Sequence, residues 1–269
     1  MSTEGAHSKL LPPYGRRSGS CCEGFILICT CARAHRLEFN MNYTNKNISI
    51  GEVVTAIPAA ARIFKDFGID YCCGGHRFLA DVIQDQNINQ AEIYEQLKQA
   101  AENRQQEYEG FKNRFDEMSP AVLSAYIEDT HHVYLRRALP ETADLLDTIV
   151  RVHGKNHREL YEIYRLFGRL KTDLEQHLLK EENLLFPILD KALNNREEAA
   201  ALTEEIITEH EAAGEILREL RKVSQDYRVP EDGCNTYRKA YSLLEELEQD
   251  LHQHIHLENN ILLKEYSMR

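Results

Sequence analysis

The chain has 269 residues, carries a formal net charge of −12 and contains no tryptophan. This acidity argues against a nucleic-acid partner and against a polybasic membrane surface. Its 13 glycines and 7 prolines are too few for a turn-rich β protein, and no apolar run approaches the roughly 20 residues that span a bilayer. The sequence therefore predicts an all-α protein without a membrane or nucleic-acid partner.

Residues 1–40 differ in composition from the rest and hold four of the seven cysteines. The apolar stretch at 25–31 is short and lacks a clear signal-peptide cleavage site. An odd cysteine count with two adjacent pairs makes a poor disulfide framework, so we expect reduced thiols and a cytoplasmic protein. We interpret 1–40 as a dispensable tail or an over-extended reading frame, with the functional start at Met41.

A small helical domain is predicted over 47–104. Apolar residues recur there at helical spacing, Pro58 marks a kink or a new first turn, and Gly68 marks a helix end. The run Asp70-Tyr71-Cys72-Cys73-Gly74-Gly75 follows, with short helices expected near 77–85 and 90–103. A polar linker comes next, at 102–114.

A longer helical domain is predicted over 119–266. Ser119 is a good N-cap, and Pro120 suits the first turn of a helix. We expect helices near 119–153, 156–192, 197–226 and 235–266, separated by short turns. Four helices of this length joined in this way predict an up-down-up-down four-helix bundle.

Two of these helices carry a histidine and a glutamate four residues apart, at His177 and Glu181 and at His254 and Glu258. Positions i and i+4 share a helix face, so each pair aims an imidazole and a carboxylate at one point. Both pairs lie on the apolar stripe expected to face the core. The stripes comprise Leu170, Leu174, His177, Glu181, Leu184 and Ile188 in one helix, and Leu247, Leu251, His254, Glu258 and Ile261 in the other. A carboxylate there is costly unless it is paired or binds a metal, which predicts a metal site.

His210 lies on the apolar stripe of the third helix, and Gly214 one turn on leaves room beside it. A single such histidine is more often a hydrogen-bonded core residue, but beside two His/Glu pairs we interpret it as a ligand. In the first helix, His131 and His132 point about 100° apart, and periodicity does not choose between them. His153 lies about 31 Å beyond His132 along a straight helix, which places it at the far tip of a helical hairpin unless Pro140 kinks that helix.

Four histidines and two glutamates suit two non-haem iron ions. Each iron would take two imidazoles, with the carboxylates and an oxo or hydroxo group bridging the pair and one position left open. Imidazole and carboxylate ligands suit iron or manganese, with zinc as an alternative. Ferritin-like sites use Glu-x-x-His, so the order His-x-x-x-Glu weakens an oxidase or iron-storage interpretation.

Residues 47–266 resemble the repair-of-iron-centres family, di-iron proteins in which a short helical domain precedes a hemerythrin-like domain. The resemblance rests on the Tyr-Cys-Cys-Gly-Gly run and three further motifs. These are His177-Leu-Leu-Lys-Glu181-Glu182 with Leu185-Phe186-Pro187, Glu209-His210-x-x-x-Gly214, and His254-x-x-Leu257-Glu258-Asn259-Asn260. The family's final Leu-Phe-Pro reads Leu262-Leu263-Lys264 here, and residues 1–40 have no counterpart in the family.

The resemblance implies a ligand set and selects His132 over His131 through alignment on Leu139-Pro140. It also includes a histidine that matches His153, outside the expected cluster. The implied ligands are His132, His177, Glu181, His210, His254 and Glu258.

The resemblance also implies a function, which is to restore iron–sulfur clusters damaged by nitrosative or oxidative stress by donating iron from a labile di-iron site. Cys72 and Cys73 would pass iron, act as redox thiols or touch a client; alternatively, they are small residues in a tight turn. Damaged iron–sulfur proteins would be the clients, nitric oxide or peroxide the small ligands, and a homodimer stays open. The alternatives are a nitric oxide or peroxide reductase at the same site, and an oxygen-binding or iron-sensing module.

Overall fold

The computed structural model describes residues 47–107, 115–189 and 196–267, so the predicted tail 1–40 and the proposed start at Met41 lie outside the described residues. Within these ranges the chain forms helices and no β-strand, which confirms the all-α prediction. The first helices are α1 (Ile50–Ala56), α2 (Ala60–Asp66), α3 (Leu79–Asp85) and α4 (Gln90–Glu107). They are followed by α5 (Pro120–Ile127), α6 (Val133–His153), α7 (Glu159–Lys180), α8 (Phe186–Leu189), α9 (Arg196–Val223) and α10 (Asn235–Leu257).

Helices α1 to α4 form a small unit whose ends follow local rules. Ser49 and Glu52 make a reciprocal capping box at the start of α1. Gly68 follows α2 with a φ of 69°, a backbone conformation that glycine adopts without steric cost. The segment after Cys73 then returns to α1, where Gly51 N–H donates to the Gly75 carbonyl at 2.8 Å. This return fixes the Cys-Cys-Gly-Gly turn against the first helix.

The second half is the predicted up-down-up-down four-helix bundle. Its four segments are α5 with α6, α7 with α8, α9, and α10, and α6 packs on both α7 and α10 while α7 packs on α9. Pro120 and its cap Ser119 start the first segment as predicted. Helix α6 continues through Pro140 to His153. Leucines, isoleucines and Phe167 from these helices fill one continuous core.

Three π-helical turns interrupt the bundle, at Glu128–His132, Glu181–Leu185 and Glu258–Leu262. A π-helical turn inserts an extra residue and therefore rotates the following side chains about the helix axis. The predicted core position Leu184 is wrong for this reason: Leu184 is 52% exposed, and Leu185 is buried in its place. Each π turn contains or adjoins a predicted ligand, so the irregular turns surround the candidate site.

The small unit packs directly on the bundle. Ile255 of α10 belongs to the apolar core of the small unit, and Arg218 of α9 pairs with Asp70 at 3.3 Å. The Cys-Cys-Gly-Gly turn is thus held between α1 and the bundle helices.

No helix in the described ranges is both long enough and apolar enough to cross a membrane.

Candidate metal centre

All six residues of the predicted ligand set are buried, and the structure brings them together inside the bundle. They form two overlapping groups that share both glutamates, and the donor atoms of each group lie within 4.8 Å of one another. The first group is His132, Glu181, His254 and Glu258, and the second is His177, Glu181, His210 and Glu258. Four helical segments contribute, and none of the six side chains is more than 4% exposed.

Glu181 lies between the two histidine pairs and faces each with a different oxygen. Its Oε1 is 3.1 Å from His177 Nε2 and 3.7 Å from His210 Nε2. Its Oε2 is 3.3 Å from His132 Nε2 and 3.9 Å from His254 Nε2. One carboxylate therefore serves both pairs, which is the arrangement of a bridging ligand.

Glu258 repeats this arrangement from the opposite helix. Its Oε1 is 3.2 Å from His254 Nε2, and its Oε2 is 3.1 Å from His210 Nε2. The Nε2 atoms of His177 and His210 also lie 3.1 Å apart and point at each other. Two ring nitrogens at this distance need a shared proton or a shared cation between them.

Buried polar atoms that lack a hydrogen-bond partner test whether these residues could bind a metal ion. Both oxygens of Glu181 and Glu258, and Nε2 of His132 and His254, are buried without a hydrogen-bond partner among the described residues. Buried polar atoms are normally hydrogen-bonded, and exceptions call for a specific explanation. One cation in each of the two groups of donor atoms would satisfy these atoms, so the donor set fits a pair of metal ions.

The outer ring nitrogens of three histidines are hydrogen-bonded in a way that orients the rings. His132 Nδ1 lies 2.8 Å from Glu182, and His177 Nδ1 lies 2.8 Å from Glu209. His210 Nδ1 lies 2.7 Å from the Asn259 side-chain oxygen. A proton held on Nδ1 by such a partner leaves the Nε2 lone pair free for a metal.

The carboxylates of the cluster are negatively charged, as the pKa shifts within the cluster indicate. Burial raises the pKa of Glu181, but His177 and the other imidazoles outweigh burial and hold this pKa well below its ordinary value. Burial lowers the pKa of His177, but the nearby charge of Glu181 and the hydrogen bond to Glu209 raise it to about 9. At His254 burial dominates, and the pKa falls. The buried carboxylates are therefore anionic, which favours cations between the imidazoles.

The structure separates the remaining candidate histidines from this cluster. His131 is buried, but its Nδ1 lies 2.9 Å from Asp250 and its ring stacks on His254, outside both groups. His153 lies at the opposite end of α6, where its Nε2 is 3.2 Å from the Cys234 sulfur. Of the two adjacent histidines in the first helix, His132 is therefore the one that faces the carboxylates.

The Cys-Cys-Gly-Gly turn lies beside His210. Asp70 Oδ1 accepts hydrogen bonds from the backbone N–H groups of Cys72, Cys73 and Gly74 at 2.9–3.2 Å. The Cys73 thiol donates to the His210 carbonyl at 3.4 Å. A Cβ at Gly214 would lie 3.3 Å from that sulfur, so the space beside His210 is occupied by Cys73.

The two cysteines have different environments. Cys72 is buried, and its contact with Cys73, its burial and its contact with Asp70 raise the pKa of its thiol well above the ordinary value. Cys73 is half-buried and lines a surface cavity of about 320 Å³ with Asp70, Glu211 and other residues. The Cys73 thiol is therefore the one that both lines the cavity and contacts the backbone of His210.

Sequence reasoning assigned no role to several residues that support the site. Asn260 Nδ2 donates to the Cys72 carbonyl at 3.2 Å and the Tyr71 carbonyl at 3.4 Å. A Cβ at Gly75 would lie 2.7 Å from that amide nitrogen, so only glycine permits this close approach. Their positions in the sequence were the usable signal: Glu182 and Asn259 each follow one of the two shared glutamates, and Glu209 precedes His210.

A four-helix bundle that closes four imidazoles around two shared carboxylates defines a cation-binding protein of the hemerythrin class. Comparison with known families agrees, since residues 123–266 match the hemerythrin HHE cation-binding domain. Residues 46–101 match a domain of unknown function, DUF542. The two matches together cover both the small helical unit and the bundle.

Several curated relatives share both regions. The iron-sulfur cluster repair protein ScdA of Staphylococcus haemolyticus is 26% identical over 226 residues, covering 83% of this chain and 99% of the relative. The iron-sulfur cluster repair protein YtfE of Pectobacterium carotovorum is 31% identical over 214 residues, covering 80% of this chain and 94% of the relative. The corresponding protein of Musicola paradisiaca is 31% identical over 222 residues, covering 82% and 96%. The chain belongs to this iron–sulfur cluster repair family, as the sequence motifs predicted.

Proposed function

We propose that this protein binds two non-haem iron ions and donates iron to damaged iron–sulfur clusters. The relatives reported above are named as iron–sulfur cluster repair proteins. The observation that carries the proposal for this chain is the contact between the Cys73 thiol and the His210 carbonyl. It puts a thiol, which is a ligand of iron in iron–sulfur proteins, against the backbone of a residue whose imidazole is a predicted metal ligand.

The donor set supports iron at the two positions. Imidazole and carboxylate are ligands of intermediate and hard character, which suit iron or manganese better than a soft metal. Each iron would be held by two imidazoles and by the two shared carboxylates, and a small ligand such as nitric oxide or peroxide would complete the set. Iron held by this incomplete protein ligand set is the cargo that the protein donates.

The chain's own residues divide the work of binding and release. Glu182 and Glu209 hold the outer nitrogens of His132 and His177 and so fix the rings for metal binding. Cys73 lies at the cavity between the small unit and α9, where a departing ion would meet the thiol. The cavity lining also includes the Asp70 and Glu211 carboxylates and the Arg77 and Arg218 side chains. Cys72 keeps its proton and its hydrogen bond to Asp70, at 3.2 Å, and holds the shape of the turn.

Turnover of nitric oxide or peroxide at the same metal pair is the rival function. Turnover needs an electron donor and leaves the iron in place, whereas donation consumes the bound iron. The clients are proposed to be iron–sulfur proteins, and the cytoplasm is proposed as the compartment because the cysteines suit reduced thiols. The oligomeric state, including a homodimer, stays a prediction.

Iron transfer to a client tests the proposal. Iron-loaded protein is mixed with an aconitase-like client that lacks cluster iron, together with a sulfide source, and cluster formation and loss of bound iron are followed. We expect client clusters to form in proportion to iron lost, faster than with an equal amount of free Fe²⁺ in the presence of a competing chelator. Bound iron that stays in place while the client remains inactive would overturn donation and favour turnover.

A further inference from the structure

The residue that follows each bridging glutamate contacts a histidine on another helix. Glu182 follows Glu181 and lies 2.8 Å from His132 Nδ1. Asn259 follows Glu258 and lies 2.7 Å from His210 Nδ1. The two positions are equivalent in the repeated His-x-x-x-Glu pattern, and both belong to π-helical turns. Position 182 holds a carboxylate, which only accepts hydrogen bonds, and position 259 holds an amide, which both accepts and donates them.

Asn259 makes a second contact that a carboxylate could not make. Its amide oxygen accepts from His210 Nδ1, while its amide nitrogen donates to the Cys72 carbonyl at 3.4 Å. Glu182 has only acceptor oxygens, and its other partner is Arg136 at 2.6–2.7 Å. Asn259 is thus bonded at once to a predicted metal ligand and to the turn that carries the thiols.

His210 has a further contact with the same turn. Its carbonyl accepts from the Cys73 thiol, and the missing side chain at Gly214 gives that sulfur its place. The rings that lie over the other histidine pair come from the bundle: Phe186 stacks on His132, and His131 stacks on His254. Among the described residues, His210 is the cluster histidine that hydrogen-bonds to the Cys72–Cys73 turn, and it belongs to the pair with His177.

We infer that Asn259 is a positioning residue that couples His210 to the Cys72–Cys73 turn, so that the ion held by His177 and His210 is the one linked to the thiols. This inference rests on the proposed function, and it specifies which of the two ions is coupled to the thiols. Loss of that ion frees the His210 ring, the Asn259 amide moves with it, and the turn loses a hydrogen bond. Because coupling is reciprocal, a change at Cys73 alters retention of the same ion.

Aspartate at position 259 separates the two contacts. Asn259→Asp keeps an acceptor for His210 but removes the donor to the Cys72 carbonyl. Asn260→Ser is the matched control, because Asn260 also donates to the Cys72 carbonyl but, among the described residues, has no hydrogen bond to any of the six cluster residues. Glu182→Gln makes the opposite charge change beside His132, in the other histidine pair. Thermal unfolding of each variant checks that the fold is retained.

The experiment measures two quantities in full-length protein, with Fe²⁺ as the probe. One is the alkylation rate of Cys73, read by mass spectrometry in iron-loaded and iron-free protein. The other is the rate at which each of the two ions passes to a ferrous chelator. We expect Cys73 in the native chain to react about fivefold faster without iron, the change that one hydrogen bond supports. We expect iron release in two phases, with Cys73 alkylation changing one phase only.

The variants decide the inference. Asn259→Asp should abolish the iron dependence of Cys73 alkylation and slow one release phase about tenfold, because a carboxylate partner strengthens an imidazole ligand. Asn260→Ser should keep the iron dependence, and Glu182→Gln should change only the other release phase. Iron-dependent alkylation that survives in Asn259→Asp would overturn the coupling. Two-phase release as expected, without cluster formation in a client, would instead overturn the proposed function and leave the coupling standing.

Discussion

Both ends of the four-helix bundle carry histidines, and they differ in burial and in the partners of the rings. At one end, His177 and His210 are buried and face shared carboxylates. At the other end, His153 is half-buried and contacts Cys234, and His157 contacts the exposed Asp232 at 2.9 Å. In this bundle, burial beside a carboxylate that lacks a hydrogen-bond partner among the described residues marks a histidine as a candidate ligand. A match to the family pattern, as at His153, is a weaker guide.

Removal of a ligand at the buried end should have the largest effect. His177→Ala or Glu258→Ala should lower bound iron well below two per chain, since each change deletes a donor that no neighbour can replace. Metal analysis of purified protein after iron loading measures this directly. His153→Ala is the matched control at the other end and should leave the iron content unchanged. Equal iron loss in His153→Ala would remove the distinction between the two ends.

The thiols next to the buried end should affect transfer and leave binding intact. Cys72→Ser combined with Cys73→Ser should keep two irons per chain but lose iron transfer to a client. Cys73→Ser alone should account for most of the loss, because the Cys73 sulfur contacts His210 and faces the cavity. The assay compares iron content and client activation in the same preparation. Undiminished transfer in the double variant would reduce both cysteines to structural residues of the turn.

Close packing of the turn on the bundle should appear as a stability effect. Gly75→Ala should lower the free energy of unfolding by about 1–3 kcal/mol, since the added Cβ would meet the Asn260 amide and the Tyr71 carbonyl at 2.7 Å. Gly168→Ala is the control, because a Cβ there has no neighbour within 4 Å on an exposed face of α7. It should stabilise the helix by about 0.5–1 kcal/mol. Urea unfolding that ranks the two variants the other way would contradict this packing.

The smallest expected effect concerns pH at the exposed end. The backbone N–H of Tyr237 and the His153 imidazole lower the pKa of Cys234 to about 7. Alkylation of Cys234 should therefore rise with a midpoint near pH 7, and His153→Gln should move the midpoint upward. The folded-state pKa lies below the ordinary 9.0, so the thiolate stabilises the fold at high pH and this contribution is lost as the pH falls through about 7.

Cys72 is the internal reference for that titration. Its pKa is raised well above the ordinary value, so its alkylation should stay slow across the same pH range. Peptide-resolved mass spectrometry follows both cysteines in one sample. A Cys234 midpoint near pH 9 in the native chain would contradict the proposed influence of His153 and the helix N-terminus.

The regular part of this architecture was predictable from spacing. Residues four apart share a helix face, so the amino-acid sequence alone places the pairs His177 with Glu181 and His254 with Glu258 on the core stripe. The π-helical turns could not be predicted in this way, because they add a residue and end the 3.6-residue period at the site itself. That irregularity is why Leu184 was wrongly expected in the core.

Tertiary contacts set the rest. Helical periodicity did not separate His131 from His132, and the family resemblance was needed to select His132. In the structure both are buried, and packing against α7 and α10 places His132 beside Glu181 and His131 beside Asp250. Asn259 could not be assigned either, since its two partners, His210 and Cys72, are distant in the sequence. Spacing along one helix predicts which side chains share a face, and contacts between helices decide what each side chain does.

Metal content and absorption of the iron-loaded protein test the central claim most directly. Fe²⁺ is titrated into metal-free protein, excess is removed, and iron per chain is compared with the absorption spectrum after oxidation. Two irons per chain with the absorption of an oxygen-bridged ferric pair would support two positions that share Glu181 and Glu258. A single ion per chain would contradict the shared-carboxylate site, and zinc held in preference to iron would contradict the assignment of iron to it.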